Sequence, residues 1–160
     1  MVKDGEPFSV ELWVPDEPVM QRIGQILQNQ LKEIGIDIKL LVKEAAAISA
    51  QTVEGAHEMI LTQYGWDDAD ILYALFGTGQ SIRMHYENAE VNQLLLDAQV
   101  EMNTDERLKI YEQAQTILVE ESPWVPLFVR EGVTAHRDLE NFKKHPIRDL
   151  IMWPGVKLGH

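Results

Sequence analysis

The sequence contains no cysteine among its 160 residues. Disulfide bonds, thiol nucleophiles and cysteine metal ligands are therefore excluded, and cysteine usage gives no information about the compartment. No apolar run approaches the ~18 residues that a membrane-spanning helix requires. The polar stretch Met1–Gly5 also lacks the apolar core of a secretion signal. The remaining composition, 45% hydrophobic and 25% charged, is typical of a globular domain.

Basic residues are scarce: 14 Lys and Arg stand against 26 Asp and Glu, and the net charge is -12. Without a basic stripe to neutralise phosphates, nucleic-acid binding is not expected. The negative charge favours solubility and, mildly, cationic ligands, but it carries no information about the fold. A free-standing acidic α/β domain that docks another protein is one function compatible with this charge.

Motifs for catalysis and for metal binding are also absent. The sequence has neither a Gly-rich phosphate loop nor a Gly-x-Ser-x-Gly nucleophile turn. No metal-ligand spacing such as His-x-x-x-His connects its histidines, which are His57, His85, His136, His145 and His160. We therefore expect no enzyme activity, no cofactor and no metal. A hydrolase that uses Asp67 and Asp70 is a weaker alternative.

The first forty residues have the pattern of a strand, a helix and a second strand. Apolar and polar residues alternate over Phe8–Val14 and again over Ile36–Val42, which predicts two strands. Between them, residues at helical spacing are Val19, Ile23, Ile26, Leu27, Leu31 and Ile34. We expect Asp16 to cap this helix and Gly35 to end it. A strand–helix–strand unit of this kind predicts parallel pairing with a right-handed crossover.

Three shorter elements follow in the middle of the chain. The pattern predicts a helix over Ala45–Gly55, a third strand over Met59–Tyr64 and a short helix over Ile71–Phe76. Asn88 is expected to cap a further helix. The apolar stripe of that helix is Val91, Leu94, Leu95, Ala98 and Met102.

The last third is predicted to contain one long helix and two strands. Thr104 is the expected cap of the helix, whose stripe is Ile110, Tyr111, Ala114, Ile117 and Leu118. Pro123 cannot continue the helix, and Trp124–Val129 then reads as an edge strand because Pro126 lacks an N–H. Alternation over Val133–Ala135 suggests another strand, and the remainder reads as loop and tail.

The loop Trp66–Asp70 is the candidate for recognition, because ligands in open α/β sheets bind beyond the carboxyl ends of strands. Three interpretations remain open at this point. Asp68 or Asp70 can cap the following helix. Asp68 and Asp70 also have the spacing of a calcium loop, although the required Gly and the later Glu are missing. In the third interpretation the exposed aromatic ring and the carboxylates contact a ligand.

Three segments in the same order resemble one protein family. They are Leu31–Ile38 (LKEIGIDI), Tyr86–Leu95 (YENAEVNQLL) and Thr104–Leu127, in which a helix with paired acids leads into Pro-Trp-Val-Pro-Leu. This order resembles the family 5 extracytoplasmic solute-binding proteins, the dipeptide, oligopeptide and nickel receptors of ABC importers. The resemblance extends from Phe8 to Trp153.

The resemblance implies an α/β fold: one lobe of a type II periplasmic-binding-protein fold, with a mixed sheet flanked by helices. Residues 1–160 would be the C-terminal lobe of a longer bilobed receptor, whose signal and N-terminal lobe lie outside this sequence. It further implies a monomer that binds a small peptide-like solute and delivers it to the membrane permease subunits of an ABC transporter. The location would be extracytoplasmic, either periplasmic or lipid-anchored on the cell surface.

The resemblance also implies a ligand-binding set, which is Trp66, Asp67, Asp68, Asp70, Arg83, His85 and Tyr86. In peptide-binding members, an acid in the loop after the third strand pairs with the amino group of the ligand. Asp67 and Asp68 are the first candidates for that acid, since Asp70 is better placed as the cap. The sequence has Ala69 where the family commonly has proline, which leaves the choice among the three acids open.

Arg83 has two competing roles. Its planar guanidinium matches a ligand carboxylate. An ordinary surface ion pair with Glu87 or Glu90 is the simpler alternative.

Overall fold

A computed structural model describes residues 2–3, 6–80, 84–129, 131–144, 151–152 and 155–158. The strands are β1 (Val2–Lys3), β2 (Glu6–Pro15), β3 (Ile36–Lys43), β4 (Met59–Ile60), β5 (Leu139–Glu140), β6 (Lys143–Lys144), β7 (Ile151–Met152) and β8 (Lys157–Leu158). The helices are α1 (Pro18–Glu33), α2 (Ala45–Val53), α3 (Ile71–Phe76), α4 (Ala89–Val100) and α5 (Thr104–Glu121). The chain divides into two compact units, the first Met1–Gln63 with Tyr73–Asn92, the second Tyr64–Leu72 with Gln93–His160.

Strand β2 is the centre of the sheet in the first unit. It pairs in parallel with β3 along its length, from Phe8 opposite Ile36 to Pro15 opposite Lys43. Strand β4 pairs in parallel with the other edge of β2, and β1 pairs with β2 antiparallel. The predicted parallel strand–helix–strand unit is therefore confirmed, and the sheet is mixed.

Helix α1 begins and ends largely as its sequence predicts. Pro18 lies in the first turn, where its missing N–H costs no hydrogen bond. The capping residue is Glu17, and the prediction of Asp16 as cap is wrong, since its carboxylate accepts a hydrogen bond from the Gln21 side chain. Gly35 adopts φ 81° and its N–H bonds to the Lys32 carbonyl, as expected for a glycine that ends a helix.

The face of α1 that packs on the sheet is narrower than predicted. Buried Met20 joins Leu12, Val14, Ile38 and Leu61 in the core, against which Ile23, Leu27 and Leu31 also pack. The predicted core positions Val19, Ile26 and Ile34 are exposed instead. Gly24 brings the helix close to the sheet, since a Cβ there would lie 2.7 Å from Leu40 Cδ1.

The opposite face of β2 is covered as well, although apolar and polar residues alternate along the strand. Trp13 is only 3% exposed. The Nζ atom of Lys43 lies 3.2 Å from the centre of its ring, and the His57 ring lies 5.8 Å away. Both faces of the strand are therefore buried near its carboxyl end.

Strand β4 is much shorter than the predicted Met59–Tyr64. Just after β4, the Leu61 N–H donates to the Trp13 carbonyl of β2 at 2.9 Å. The next bond of a parallel ladder would come from residue 15, and Pro15 has no N–H to donate. The preceding helix α2 agrees with its prediction, and Gly55 after it adopts φ 68°.

Helices α4 and α5 confirm the predicted stripes with two corrections. The buried residues of the two stripes are Val91, Leu95, Ala98, Tyr111, Ala114 and Leu118. Met102 lies beyond the end of α4 and is 93% exposed, so its assignment to the stripe was wrong. Asn88 caps α4 as predicted, but α5 is capped by Asn103 rather than Thr104. The Asn103 side chain accepts the N–H groups of Asp105 and Glu106 at 3.0 and 3.2 Å.

The predicted strands at Trp124–Val129 and Val133–Ala135 are wrong, because both segments are irregular. Pro123 and Pro126 each remove a backbone donor, and Val125, Phe128 and Val133 are exposed. Short ladders form instead where loop and tail were predicted: β5 pairs with β8, and β6 with β7. Of the helices described, none is both long and apolar enough to cross a membrane.

Candidate functional site

The candidate loop Trp66–Asp70 lies between β4 and α3 and belongs to the second unit. Trp66 is 54% exposed. Asp67 and Asp68 are exposed, whereas Asp70 is half-buried. The loop therefore presents an indole ring and carboxylates to solvent.

A tight turn within the loop leads into α3. The Asp68 carboxylate accepts the Asp70 N–H at 2.9 Å, and the Asp68 carbonyl accepts the Ile71 N–H at 3.3 Å. An aspartate that bonds the backbone two residues on is a common way to start such a turn. The Asp70 carboxylate instead accepts a hydrogen bond from the Gln99 side chain at 2.9 Å. Among the hydrogen bonds of the described residues, the Asp70 carboxylate makes none to the first turn of α3, so the preference for Asp70 as a side-chain cap is not borne out. The Asp68 bond forms the turn just before the helix.

Arg107 of α5 ties this turn to the rest of the second unit. Its Nη2 atom lies 2.7 Å from Asp68 Oδ1 and 3.2 Å from the Tyr111 hydroxyl. Its Nε atom donates to the Ala98 carbonyl at 3.2 Å. One guanidinium thus contacts the loop, the last turn of α4 and its own helix.

Hydrogen bonds and charge keep the Asp68–Arg107 pair ionised. The hydrogen bond from the Asp70 N–H holds the pKa of Asp68 below its ordinary 3.8. Desolvation opposes this effect, and Arg107 lowers the pKa further through its hydrogen bond and its charge. The Tyr111 hydroxyl raises the pKa of Arg107, with Asp68 adding to the effect. At neutral pH the loop therefore contains a formed carboxylate–guanidinium pair.

Sequence reasoning missed Arg107. The 39 residues that separate it from Asp68 leave no local signal of the pairing. The only hint was its position four residues before Tyr111, where two side chains share one face of a helix. Gln99 was missed for the same reason.

Two further candidates, His85 and Tyr86, lie in the first unit. His85 is exposed and adopts φ 48°, and a Cβ on Gly55 would lie 2.7 Å from its Nε2 atom. Tyr86 is half-buried and packs edge-on against Phe76 at 5.8 Å between ring centres. The remaining candidate, Arg83, falls outside the described residues.

The described residues contain no group of three or more His, Cys, Asp or Glu side chains arranged to hold a metal ion. Asp68 and Asp70, the two acids with calcium-loop spacing, bond instead to Arg107 and Gln99. The Asp68 and Asp70 carboxylates are thus each hydrogen-bonded to another side chain of the protein.

Comparisons with known proteins agree on one family. No protein-family model matches the sequence. The oligopeptide-binding protein AppA of Bacillus subtilis is 30% identical over 156 residues, which cover 92% of this chain and 29% of AppA. The glutathione-binding protein GsiB of Salmonella choleraesuis is 31% identical over 144 residues, 81% of this chain and 28% of GsiB.

Solved structures show the same similarity. AppA from Bacillus subtilis in complex with a nonapeptide matches 99% of this chain with a TM-score of 0.74 and 25% identity, over 33% of its own length. The periplasmic binding protein DppA from Helicobacter pylori in complex with the peptide STSA matches 77% of this chain with a TM-score of 0.67 and 27% identity, over 26% of its length.

These matches confirm the predicted fold class, an α/β fold of the type II periplasmic-binding-protein kind with a mixed sheet flanked by helices. The chain spans 29% and 28% of the length of the two curated relatives it matches. Because similarity in sequence and in structure covers nearly the whole chain, the chain belongs to the family 5 extracytoplasmic solute-binding proteins and corresponds to a part of them.

Proposed function

We propose that this chain is the C-terminal lobe of a bilobed receptor that captures a peptide-like solute outside the cytoplasm for an ABC importer. The observation that carries the proposal is the match to AppA over 92% of the sequence and 99% of the structure, since the AppA structure holds a nonapeptide. The names of the other relatives include glutathione and a four-residue peptide. Their common chemistry is a short peptide backbone with charged ends.

The solute would bind in a cleft between two lobes that close by a hinge. No bond would be made or broken, so the receptor would not be an enzyme. Its partners would be the solute and the permease subunits at the membrane. We propose a monomer that is either periplasmic or lipid-anchored.

Within this chain, we assign the first contact with the solute to the loop Trp66–Asp70. The exposed Trp66 indole offers an apolar wall, and a carboxylate offers a partner for the amino group of a peptide. Asp67 and Asp68 are both exposed and remain the two candidates for the amine anchor. We place Asp67 first because it directly follows Trp66 in the chain, and Asp68 second.

The second group of contacts would come from Arg83, His85 and Tyr86. Arg83 offers a bidentate partner for a peptide carboxylate. Exposed His85 and half-buried Tyr86 supply polar atoms on aromatic rings.

Titration calorimetry on the full-length receptor tests the assignment of Asp67. Removing one charge from a shielded pair costs ~2–5 kcal/mol. Asp67→Asn should therefore weaken the binding of a short peptide by that amount. N-acetylation of the peptide should weaken binding similarly, and combining the two changes should add little, because both remove the same pair.

Two results would overturn these proposals. If both Asp67→Asn and Asp68→Asn bind the peptide with unchanged affinity, the loop is not the amine anchor. If no peptide of any length raises the melting temperature of the full-length receptor, solute capture itself is wrong. A peptide at ~100 times its Kd stabilises its receptor by about 2.7 kcal/mol, which a thermal-shift screen detects readily.

A further inference from the structure

We infer that Arg107 is the positioning residue of the candidate binding loop. It holds Asp68 in place and thereby fixes how Trp66 and Asp67 are presented to a ligand. This inference rests on the proposed role of the loop in solute binding. Arg107 itself would not touch the solute.

The guanidinium of Arg107 reaches several segments at once. Arg107 donates to acceptors on three segments: Asp68 in the loop, Ala98 in the last turn of α4 and Tyr111 on α5. A planar guanidinium directs its donors along fixed directions, so contacts to several acceptors define one position. The loop is therefore fixed relative to α5 and to the last turn of α4, which lie with it in the second unit.

A second, independent hydrogen bond holds the same turn. Gln99 follows Ala98 in the chain, and its side chain donates to Asp70 at 2.9 Å. Asp68 in turn accepts the Asp70 N–H at 2.9 Å. Ala98, through Arg107, holds Asp68 at one end of the turn, and Gln99 holds Asp70 at the other.

An ordinary surface ion pair is the alternative explanation, and such pairs contribute little to stability. The side chains of a surface pair are more exposed than those of a positioning contact. The side chain of Arg107 is 33% exposed, while that of Asp68 is 50% exposed. Lys109 on the same helix supplies a true surface pair, with Glu106 at 2.8 Å and side chains 62% and 56% exposed. This second pair is a matched control.

Residue-resolved amide hydrogen exchange on this chain distinguishes the two explanations. In Arg107→Gln the Asp70 N–H should exchange at least tenfold faster, because Asp68 is no longer held in place to accept it. Lys109→Gln should leave that rate unchanged. In Arg107→Lys the exchange rate of the Asp70 N–H should lie between those of the unchanged chain and Arg107→Gln. An ammonium group cannot reach three acceptors as the planar guanidinium does.

A second variant shows whether the effect of Arg107→Gln comes from misfolding. Asp68→Asn removes the charge of the pair from the loop side and should give the same local acceleration. The double variant Arg107→Gln/Asp68→Asn should exchange no faster than the faster single variant. Unchanged Asp70 exchange in both single variants, or equal acceleration in Lys109→Gln, would overturn the inference.

Peptide affinity of the full-length receptor separates this inference from the proposed function. Arg107→Gln should lower the affinity severalfold, with a melting temperature equal to that of Lys109→Gln. A receptor that binds no peptide refutes the proposed function, whereas the exchange result would still establish how the loop is held. Unchanged exchange with intact peptide binding refutes the positioning role alone.

Discussion

The Asp68 carboxylate shows how much of the site depends on one residue. It starts the turn before α3 by accepting the Asp70 N–H, and it pairs with Arg107 at 2.7 Å. The loop sequence alone indicated that an acid would cap α3. It favoured Asp70, although Asp68 and Asp70 both suit a turn, because the contacts that distinguish them come from Arg107 and Gln99 far along the chain. The sequence thus predicted the candidate loop, but it did not predict the contacts from Arg107 and Gln99 that hold the loop in place.

The lowered pKa of Asp68 predicts an acid-sensitive loop. Its folded pKa lies below the ordinary 3.8, so the stabilisation is present above 3.8 and is lost as pH falls through the folded value. Acrylamide quenching of Trp66, measured as the difference from a Trp66→Phe chain, should rise over that acidic range. In Asp68→Asn the rise should be absent. Identical acid profiles in the two proteins would show that Asp68 does not hold the loop.

Leu118 provides the test of packing at a single residue. It is 7% exposed on α5, while its neighbour Val119 is 74% exposed. Leu118→Ala should lower the free energy of unfolding by ~2–5 kcal/mol. Val119→Ala should change it by about 0.5 kcal/mol or less. Denaturant melts measure both, and a similar small effect for the two variants would mean that the buried face of α5 is assigned wrongly.

Among the elements, those with their own periodicity were predicted well. The parallel pair β2–β3 with α1 between them follows from alternation and helical spacing, and the structure confirms it. The extent of β4 could not be read from Met59–Tyr64, because Pro15 on the neighbouring strand ends the ladder. The false strand at Trp124–Val129 has the apolar residues of a strand but contains Pro126 and has no strand partner among the described residues. Pairing partners, unlike periodicity, are not encoded locally.

The start of α5 gives a prediction at the scale of the element. Two adjacent residues, Asn103 and Thr104, both suit an N-cap, and the structure assigns the role to Asn103. Asn103→Ala should destabilise the chain by about 1 kcal/mol, since a capping side chain typically contributes that much. Thr104→Ala, an exposed change in the first turn, should cost less than half as much. If thermal or urea melts show that Thr104→Ala is the more destabilising change, Thr104 is the cap, as the sequence predicted.

At the scale of the whole molecule, the chain is acidic, with a net charge of -12, and comprises two compact units. The two solved structures match 77% and 99% of it, but only 26% and 33% of their own lengths. Family membership followed from three short motifs in order, because their combined spacing is far more specific than any one of them. The identity of the solute has no such signature in the sequence.

The most direct test of the account compares peptide binding by this chain alone and by the full-length receptor in the same calorimeter. A cleft receptor desolvates its ligand between two surfaces, whereas an exposed ion pair on one surface contributes only ~0–1 kcal/mol. We predict measurable binding of a short peptide by the full-length receptor and binding at least a hundredfold weaker by this chain. Equally tight binding by this chain alone would contradict the account, because the solute would then need only one lobe.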